Sequence, residues 1–248
     1  MHFHSETSAD GMTMRLFTLG DVPGAVWAPA AASGPRPLVL IGHGGGGHKT
    51  DASVIGRARR LVLGRGWAVA AIDAHGFAGR PVPPEYEPLN AEIEERRAAG
   101  KPLGDAFARR SRVASRYVVP EWQATIDALA GLDWIGAGGP VGYWGVSLGT
   151  ALGLPLVAAE PRITAAVLGL MGDWNLAGLA AQVTAPVQFL LQWDDELVPR
   201  ADGLALFDAF SSAEKTLHVN PGQHGEMPRF ELDGCEAFLA RHLAGAAA

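Results

Sequence analysis

The chain has 248 residues, a formal net charge of −6, 48% hydrophobic residues and 19% charged residues. This composition is typical of a folded enzyme, and it excludes a disordered or fibrous chain. An acidic chain also lacks the basic surface on which nucleic acid binding depends. No apolar run approaches the roughly 18 residues of a membrane span, so we expect neither a nucleic acid nor a membrane partner.

The cysteine content and the N-terminal residues bear on the cellular compartment. Cys235 is the single cysteine, so no intramolecular disulfide can form. The first residues include His2, His4 and Glu6, and they lack the basic and then apolar pattern of a signal peptide. We therefore expect a cytoplasmic protein.

The first part of the chain predicts a hairpin, two buried strands and a helix. Residues 1–11 are expected to be a loose leader. A turn-rich segment around Gly20 and Gly24 separates two short strands, as in a hairpin. Short apolar runs are typical of buried parallel strands, and Asp51 is a suitable N-cap for the helix between them. The predicted elements are strands at Met14–Leu19, Ala25–Ala28, Pro37–Ile41 and Trp67–Ile72, and a helix from Asp51 to about Leu63.

Residues 76–110 are the least regular part of the sequence, because they are first rich in proline and then charged. We interpret them as an irregular excursion over one face of the sheet, near the active site, and not as a second domain. A long helix is predicted at Ser111–Trp134. Pro120 should kink or divide that helix, because proline lacks a backbone N–H and its ring clashes with the preceding turn.

The remainder of the chain alternates between strand and helix. This alternation predicts an α/β fold, a mostly parallel sheet with helices on both faces and right-handed crossovers. We expect one domain over residues 1–248, with an eight-stranded sheet. The predicted segments are Val141–Val146, Leu148–Ala159, Ile163–Met171, Val187–Gln192, Ala201–Phe210, Thr216–Val219 and Pro228–Leu243.

Ser147 lies in a Gly-x-Ser-x-Gly segment, Gly145 to Gly149, between a predicted buried strand and a predicted helix. A sharp strand-to-helix turn of this kind projects a serine Oγ above the sheet and directs backbone N–H groups at a developing oxyanion. The pentapeptide alone is a weak signal. Its position between strand and helix makes Ser147 the candidate nucleophile.

A serine nucleophile needs a general base, and that base needs an orienting carboxylate. His224 follows the last predicted strand in a loop of turn residues, and it is the candidate base. The acid is one of two adjacent residues, Asp194 and Asp195, which follow the preceding strand. Groups at the carboxyl ends of strands in an open α/β sheet lie at one edge, so the three side chains should meet.

The glycine-rich loop from Gly42 to Gly47 admits two interpretations. With Asp73 at the end of the next strand, it matches a dinucleotide-binding pattern in outline. Alternatively, a His-Gly-Gly-Gly loop after a strand donates an oxyanion N–H in esterases and lipases. We favour the second interpretation, because the first leaves the arrangement of Ser147, Asp195 and His224 without a purpose.

Five segments together resemble the α/β-hydrolase superfamily, and within it the small dienelactone-hydrolase-like esterases. The resemblance implies Asp195 as the acid, because the Asp-x-x-Val-Pro turn follows the acid strand in many α/β-hydrolases. It also implies backbone N–H groups of Gly45 and Leu148 as the oxyanion hole. Dienelactone hydrolases carry a cysteine nucleophile, whereas this chain has Ser147 there. The segments are Gly42–Gly46, Asp73–Phe77, Gly145–Gly149, Asp195–Pro199 and Gly222–Gly225.

The resulting hypothesis is a carboxylesterase that cleaves small to medium esters through an acyl-enzyme, without metal or organic cofactor. Aromatic and histidine side chains near the predicted strand ends are expected to line the substrate pocket. Alternatives are a lactone, thioester or peptide-bond hydrolase of the same fold, and a non-catalytic binding protein of that fold. The oligomeric state is not indicated by the sequence. The expected lining residues are His43, Phe77, Tyr86, Trp174 and Trp193.

Overall fold

The computed structural model describes residues 1–101 and 103–243. The predicted domain 1–248 and the excursion 76–110 therefore include residues outside the described ones. Within the described residues, nine strands form one sheet and seven helices connect them. The strands are β1 (His2–Ala9), β2 (Met12–Leu19), β3 (Val22–Pro29), β4 (Leu38–Gly42), β5 (Ala68–Ile72), β6 (Val141–Gly145), β7 (Ile163–Gly169), β8 (Val187–Gln192) and β9 (Lys215–Asn220). The helices are α1 (Ala52–Arg65), α2 (Tyr86–Ala98), α3 (Gly104–Ala130), α4 (Leu148–Ala159), α5 (Ala177–Ala180), α6 (Arg200–Ala209) and α7 (Arg229–Leu243).

The strand order across the sheet is β1-β2-β3-β5-β4-β6-β7-β8-β9. The first three strands form an antiparallel meander, β3 pairs antiparallel with β5, and the strands from β4 to β9 are mutually parallel. The predicted α/β class with a mostly parallel sheet is confirmed. The predicted number of eight strands is wrong, because residues 1–11 do not form a loose leader and instead contain β1.

Strand β1 could not be recognised from its composition, because all eight of its residues are exposed. A strand with both faces in water shows no alternation of apolar and polar residues. Its backbone pairs with β2 from His2 to Ala9, with an irregularity between Phe3 and Ser5. Backbone pairing with a neighbour, and not burial of side chains, therefore determines this element.

Helices cover both faces of the sheet and produce two hydrophobic cores. On one face, α3, α4 and α6 cover the sheet, with Trp122, Leu154 and Leu206 among the buried side chains. On the other face, α1 and α7 contribute residues such as Leu61 and Phe238. No helix of the described residues is long and apolar enough to cross a membrane.

The segment 76–110 is more regular than expected. It contains α2, which begins at Tyr86, and the first turns of α3, which begins at Gly104 and not at residue 111. Pro120 lies inside α3 without dividing it. Arg109 on α3 forms an ion pair with Glu92 on α2 at 2.7 Å, so contacts between the two helices support helical structure in this charged region.

The connections reverse direction between β4 and β6. The chain leaves β4 through α1 toward β5 on one side, and it leaves β6 through α4 toward β7 on the other. In open α/β sheets, ligands bind in the crevice at such a switch point, beyond the carboxyl ends of the strands. The register pairs Gly42 with Gly145, so the glycine-rich loop and the Ser147 turn are neighbours there.

Candidate active site

Ser147 occupies a strained backbone conformation between β6 and α4. Its φ is 56° and its ψ is −121°, a combination that residues with a Cβ rarely adopt. The flanking glycines are required, because a Cβ on Gly145 would lie 2.6 Å from the Gly149 carbonyl oxygen. On Gly149 it would lie 2.9 Å from the Gly42 oxygen. The sequence therefore produces a tight turn that holds the serine above the sheet.

Hydrogen bonds brace this turn from three sides. The Ser147 backbone N–H donates to the Gly169 oxygen at 2.9 Å. Thr150 Oγ1 accepts from the Gly169 N–H at 2.8 Å and lies 2.9 Å from the Gly145 oxygen. The Tyr143 hydroxyl donates to the Gly149 oxygen at 2.6 Å. These bonds offset the strain at Ser147, so the hydroxyl position is fixed by its surroundings.

His224 links Ser147 to Asp195. Its Nε2 is 2.9 Å from Ser147 Oγ, and its Nδ1 is 2.7 Å from Asp195 Oδ2. The Asp195 side chain is 3% exposed and the His224 side chain 15%. The structure thus brings together the three residues that the sequence selects, in the order hydroxyl, imidazole, carboxylate.

The two adjacent aspartates have different surroundings. Asp195 Oδ1 accepts from the backbone N–H groups of Leu197 and Val198, both at 2.9 Å. Asp194 is exposed, and among the described residues only its backbone N–H is bonded, to the Gly222 oxygen at 3.2 Å. Of the two carboxylates, the one on Asp195 contacts the histidine.

His43 connects the glycine-rich loop to the end of β5. Its Nδ1 lies 2.8 Å from the Gly44 oxygen, and its Nε2 accepts from the Ala74 backbone N–H at 3.1 Å. The Ala74 bond requires an unprotonated Nε2, so we assign the ring proton to Nδ1. Burial lowers the pKa of His43, which favours this neutral form.

A buried ion pair anchors the far end of the same loop. Lys49 donates from Nζ to Asp73 Oδ2 at 2.6 Å and from its backbone N–H to Asp73 Oδ1 at 2.7 Å. Asp73 is 1% exposed. Because Lys49 occupies both carboxylate oxygens, Asp73 is not available for the ribose contact that a dinucleotide site requires. The sheet order also differs from that of the Rossmann fold.

Several backbone N–H groups of the Ser147 turn and the glycine-rich loop are unpaired among the described residues, including the two that the sequence resemblance implies for the oxyanion hole. Those two belong to Leu148, the first residue of α4, and to Gly45 in the exposed part of the glycine-rich loop. The first N–H groups of a helix have no partner within the helix and carry a partial positive charge. Both groups are therefore able to donate to an anionic oxygen.

A buried arginine lies beside the strand ends that lead into the glycine-rich loop and the Ser147 turn. The Arg57 guanidinium is 3.4 Å from the backbone oxygens of Gly42 and Trp144, near the ends of β4 and β6. No carboxylate bonds it among the described residues, and burial lowers its pKa to about 10. Arg57 thus ties the strand that precedes the glycine-rich loop to the strand that precedes Ser147.

An open groove of about 630 Å³ lies beside Glu196 and Leu197, which follow Asp195 in the loop after β8. Trp174 lines it and donates from its ring N–H to Asp202 at 3.1 Å. The other walls come from the end of α2, the start of α3 and the start of α6, with Arg97, Leu103 and Ala205 as examples.

The remaining pocket residues lie outside this groove. Trp193 is 47% exposed, and the Arg200 guanidinium covers its ring at 3.4 Å. Tyr86 is buried against Tyr117 and beneath Arg110. Trp193 and Tyr86 do not line this groove, and both rings make cation–π contacts with neighbouring arginines.

His43 and Phe77 contact each other instead, at a centroid distance of 5.2 Å. His43 borders a small internal cavity between the ends of β4 and β5 and the helices α3 and α4. Both side chains therefore support the glycine-rich loop.

Three residues that support the site, Glu196, Lys49 and Arg57, are not marked by any local sequence pattern. A carboxylate beside the acid, a lysine after the glycines and an arginine on a helix are each common surface residues. Only the three-dimensional structure shows which groups they bind: a side-chain carboxylate in the case of Lys49, and backbone groups in the case of Arg57 and Glu196. No group of three or more His, Cys, Asp or Glu side chains suited to a metal ion occurs among the described residues.

Comparisons with known proteins assign the chain to a superfamily. The chain is similar to a cold-adapted esterase from an Arctic intertidal metagenomic library, solved with bound PEG. The identity is 36%, the TM-score is 0.79, and the match covers 98% of this chain and 100% of that one. No protein-family model matches the chain, and no curated protein matches it.

Two more distant structures share the fold. Acetyl xylan esterase 1 from Thermoanaerobacterium sp. has 15% identity and a TM-score of 0.68, and the match covers 97% of this chain and 87% of that one. An acetyl xylan esterase from Paenibacillus sp. has 14% identity and a TM-score of 0.67, over 98% and 88% of the two chains.

The fold and the 36% identical relative define the class of the chain as esterases built on a mostly parallel α/β sheet. The chain belongs to the α/β-hydrolase superfamily, as a carboxylic ester hydrolase, which confirms the class expected from its sequence.

Proposed function

We propose that this protein hydrolyses small to medium carboxylic esters through an acyl-enzyme formed on Ser147, with His224 as base and Asp195 as acid. The observation that carries the proposal is the continuous hydrogen-bond chain from Ser147 Oγ through the imidazole to the buried Asp195 carboxylate. A serine hydroxyl is a weak nucleophile until a base removes its proton, and this chain supplies such a base.

In the first half of the reaction, His224 Nε2 accepts the hydroxyl proton as Ser147 Oγ attacks the ester carbonyl carbon. The carbonyl electron pair moves to the oxygen, and Asp195 stabilises the imidazolium that forms. Collapse of the tetrahedral intermediate breaks the bond to the alcohol oxygen, which takes its proton from the imidazolium. In the second half, His224 activates water against the acyl-enzyme and then returns the proton to Ser147.

The N–H groups of Leu148 and Gly45 are proposed to hold the oxyanion of each tetrahedral intermediate. Both are unpaired among the described residues, and both belong to the two loops that Arg57 and the β4–β6 register hold side by side. Donors fixed in this way need no reorganisation as charge develops, which is the source of their catalytic effect.

The groove beside Glu196 is proposed to receive the substrate, with Trp174 in its wall. Its volume of about 630 Å³ is within the range typical of small-molecule sites. The segment between β7 and β8 contributes the four-residue helix α5 at this end of the sheet. A compact site of this kind suits the dienelactone-hydrolase-like subgroup. We further propose one catalytic domain, supported by the single sheet. A cytoplasmic location stays a prediction.

Catalysis should be lost at acid pH, because only the neutral imidazole can accept the Ser147 proton. We expect kcat/KM to fall as the pH is lowered, because protonation removes the lone pair that accepts the Ser147 proton. Initial rates on a p-nitrophenyl ester, with chemistry shown to limit the rate, measure this directly. A flat profile between about pH 5 and 8 would argue against a histidine base.

Short acyl chains should be hydrolysed better than long ones. The proposed groove is open to solvent, and Arg97, Lys101 and Asp173 lie among its walls, so a long acyl chain would remain partly in contact with water and charged groups. The test is kcat/KM along p-nitrophenyl esters from acetate to palmitate. An optimum at laurate or longer, particularly with activation at a lipid–water interface, would instead indicate a lipase.

A further inference from the structure

We infer that Glu196 is a positioning residue that holds the main chain of His224. Glu196 Oε2 accepts the His224 backbone N–H at 2.9 Å. The inference rests on the proposed function, because it assigns His224 as the base. The turn that carries Asp195 and Glu196 then holds His224 at two points, which we call the clamp. Asp195 binds the imidazole, and Glu196 binds the backbone of the same histidine.

The rest of the His224 loop is anchored before this residue. Main-chain N–H groups of Trp193 and Asp194 donate to the oxygens of Asn220 and Gly222, at 2.7 and 3.2 Å. The buried Gln192 amide lies within hydrogen-bonding distance of two further loop oxygens, those of residues 221 and 223. The β8 end thus fixes the loop up to its third residue.

At His224 itself the situation differs. Among the described residues, the bond to Glu196 is the one hydrogen bond made by the His224 main chain. The ring must reach Ser147 and Asp195 at once, so a shift of its Cα lengthens at least one of these bonds. A misplacement of about 1 Å in a catalytic group can cost about 100-fold in rate.

The Glu196 carboxylate is well suited to this role. The hydrogen bond from the His224 N–H lowers the pKa of Glu196 below its usual range. The group therefore remains an ionised acceptor throughout the pH range in which the proposed histidine base is active. A charged acceptor also binds an N–H more strongly than a neutral one does.

The chain provides a matched control in Glu226. Its Oε2 accepts the backbone N–H of Gln223, one residue before His224, at 2.8 Å. Both glutamates are exposed and serve the same loop. Substitutions at the two positions therefore remove the same charge and one hydrogen bond to this loop. They differ in that Glu196 binds the N–H of the base and also borders the proposed substrate groove, so the split between kcat and KM separates these two roles.

The experiment compares kcat and KM for p-nitrophenyl acetate in Glu196→Ala, Glu196→Gln, Glu196→Asp and Glu226→Ala. We expect Glu196→Ala to lower kcat about 10-fold or more with little change in KM, and Glu226→Ala to stay within about twofold. Glu196→Gln keeps an acceptor of the same reach and should restore most of kcat, whereas the shorter Glu196→Asp should not. Melting curves check that each variant is folded.

Equal kcat values for Glu196→Ala and Glu226→Ala would overturn the inference, and so would a Glu196→Gln variant as slow as Glu196→Ala. If Glu196→Ala does not fold, the contrast between Glu196→Gln and Glu196→Asp decides the question in the same way. Failure of the proposed function is distinguishable, because a fluorophosphonate probe would then leave the unmodified protein unlabelled, and the inference would fall with it.

Discussion

Replacing Ser147 by alanine should lower kcat by about 10⁴- to 10⁶-fold, because no other hydroxyl is placed on the strained turn beside His224. The fold should be unaffected. Among the described residues, the Ser147 side chain is hydrogen-bonded to His224 and to no other group, and alanine retains the Cβ. Ester hydrolysis and labelling by a fluorophosphonate probe are the two measurements.

The labelling experiment also separates an enzyme from a non-catalytic protein of the same fold. The unmodified protein should be labelled, and the Ser147→Ala variant should not be. Labelling of equal extent in both would assign the reactive group to another residue. An absence of labelling in both, with a normal melting curve, would favour a binding protein.

Replacing Asp195 by asparagine should cost about 10⁴-fold in kcat, whereas the same change at Asp194 should cost little. The reason is that the two oxygens of the Asp195 carboxylate have different partners. Asp195 Oδ1 accepts two backbone N–H groups, from Leu197 and Val198. An asparagine would keep its oxygen there and turn its NH₂ group toward His224 Nδ1.

That NH₂ group is a donor, so the facing Nδ1 would have to be unprotonated and the ring proton would move to Nε2. The imidazole could then no longer accept the Ser147 proton. Asp194→Asn is the matched control, because it removes the same charge one residue away on an exposed side chain. If Asp194→Asn proved the more damaging variant, the assignment of the acid would be wrong.

The strands around the site are predictable because burial leaves a simple pattern. The buried parallel strands β4, β5, β6 and β8 are short and mostly apolar, and the polar residues that follow them mark their carboxyl ends. Since those ends meet at one edge of the sheet, the pattern is sufficient to predict that Ser147, Asp195 and His224 lie close together.

The elements that sequence patterns do not predict depend on partners distant in the chain. Strand β1 is exposed and is defined by its ladder with β2. Helix α2 and the first turns of α3 are supported by contacts between their charged side chains, such as Arg109 with Glu92. Trp193 stacks with Arg200, a residue seven positions further along the chain. None of these contacts leaves a periodic signal in the sequence.

The clamp on His224 is out of reach of sequence patterns for a further reason. A run of Asp194, Asp195 and Glu196 offers three carboxylates, and the choice among them depends on the register of a turn to within one residue. The sequence motif favours the middle one as acid. It contains no information about which neighbour faces the histidine backbone, because that depends on how two separate loops meet.

The strained backbone at Ser147 has a consequence for how much heat the protein withstands. A residue held at such a φ and ψ costs about 1 to 3 kcal/mol, and glycine adopts positive φ without that cost. Ser147→Gly should therefore melt at a higher temperature than the unmodified protein, although glycine's greater unfolded-state entropy reduces the gain to about 1 kcal/mol. Ser147→Ala retains the Cβ and should show no comparable gain. The strained turn thus lowers the thermal resistance of this fold at the proposed nucleophile, so more durable variants that keep their turnover are to be sought at other positions.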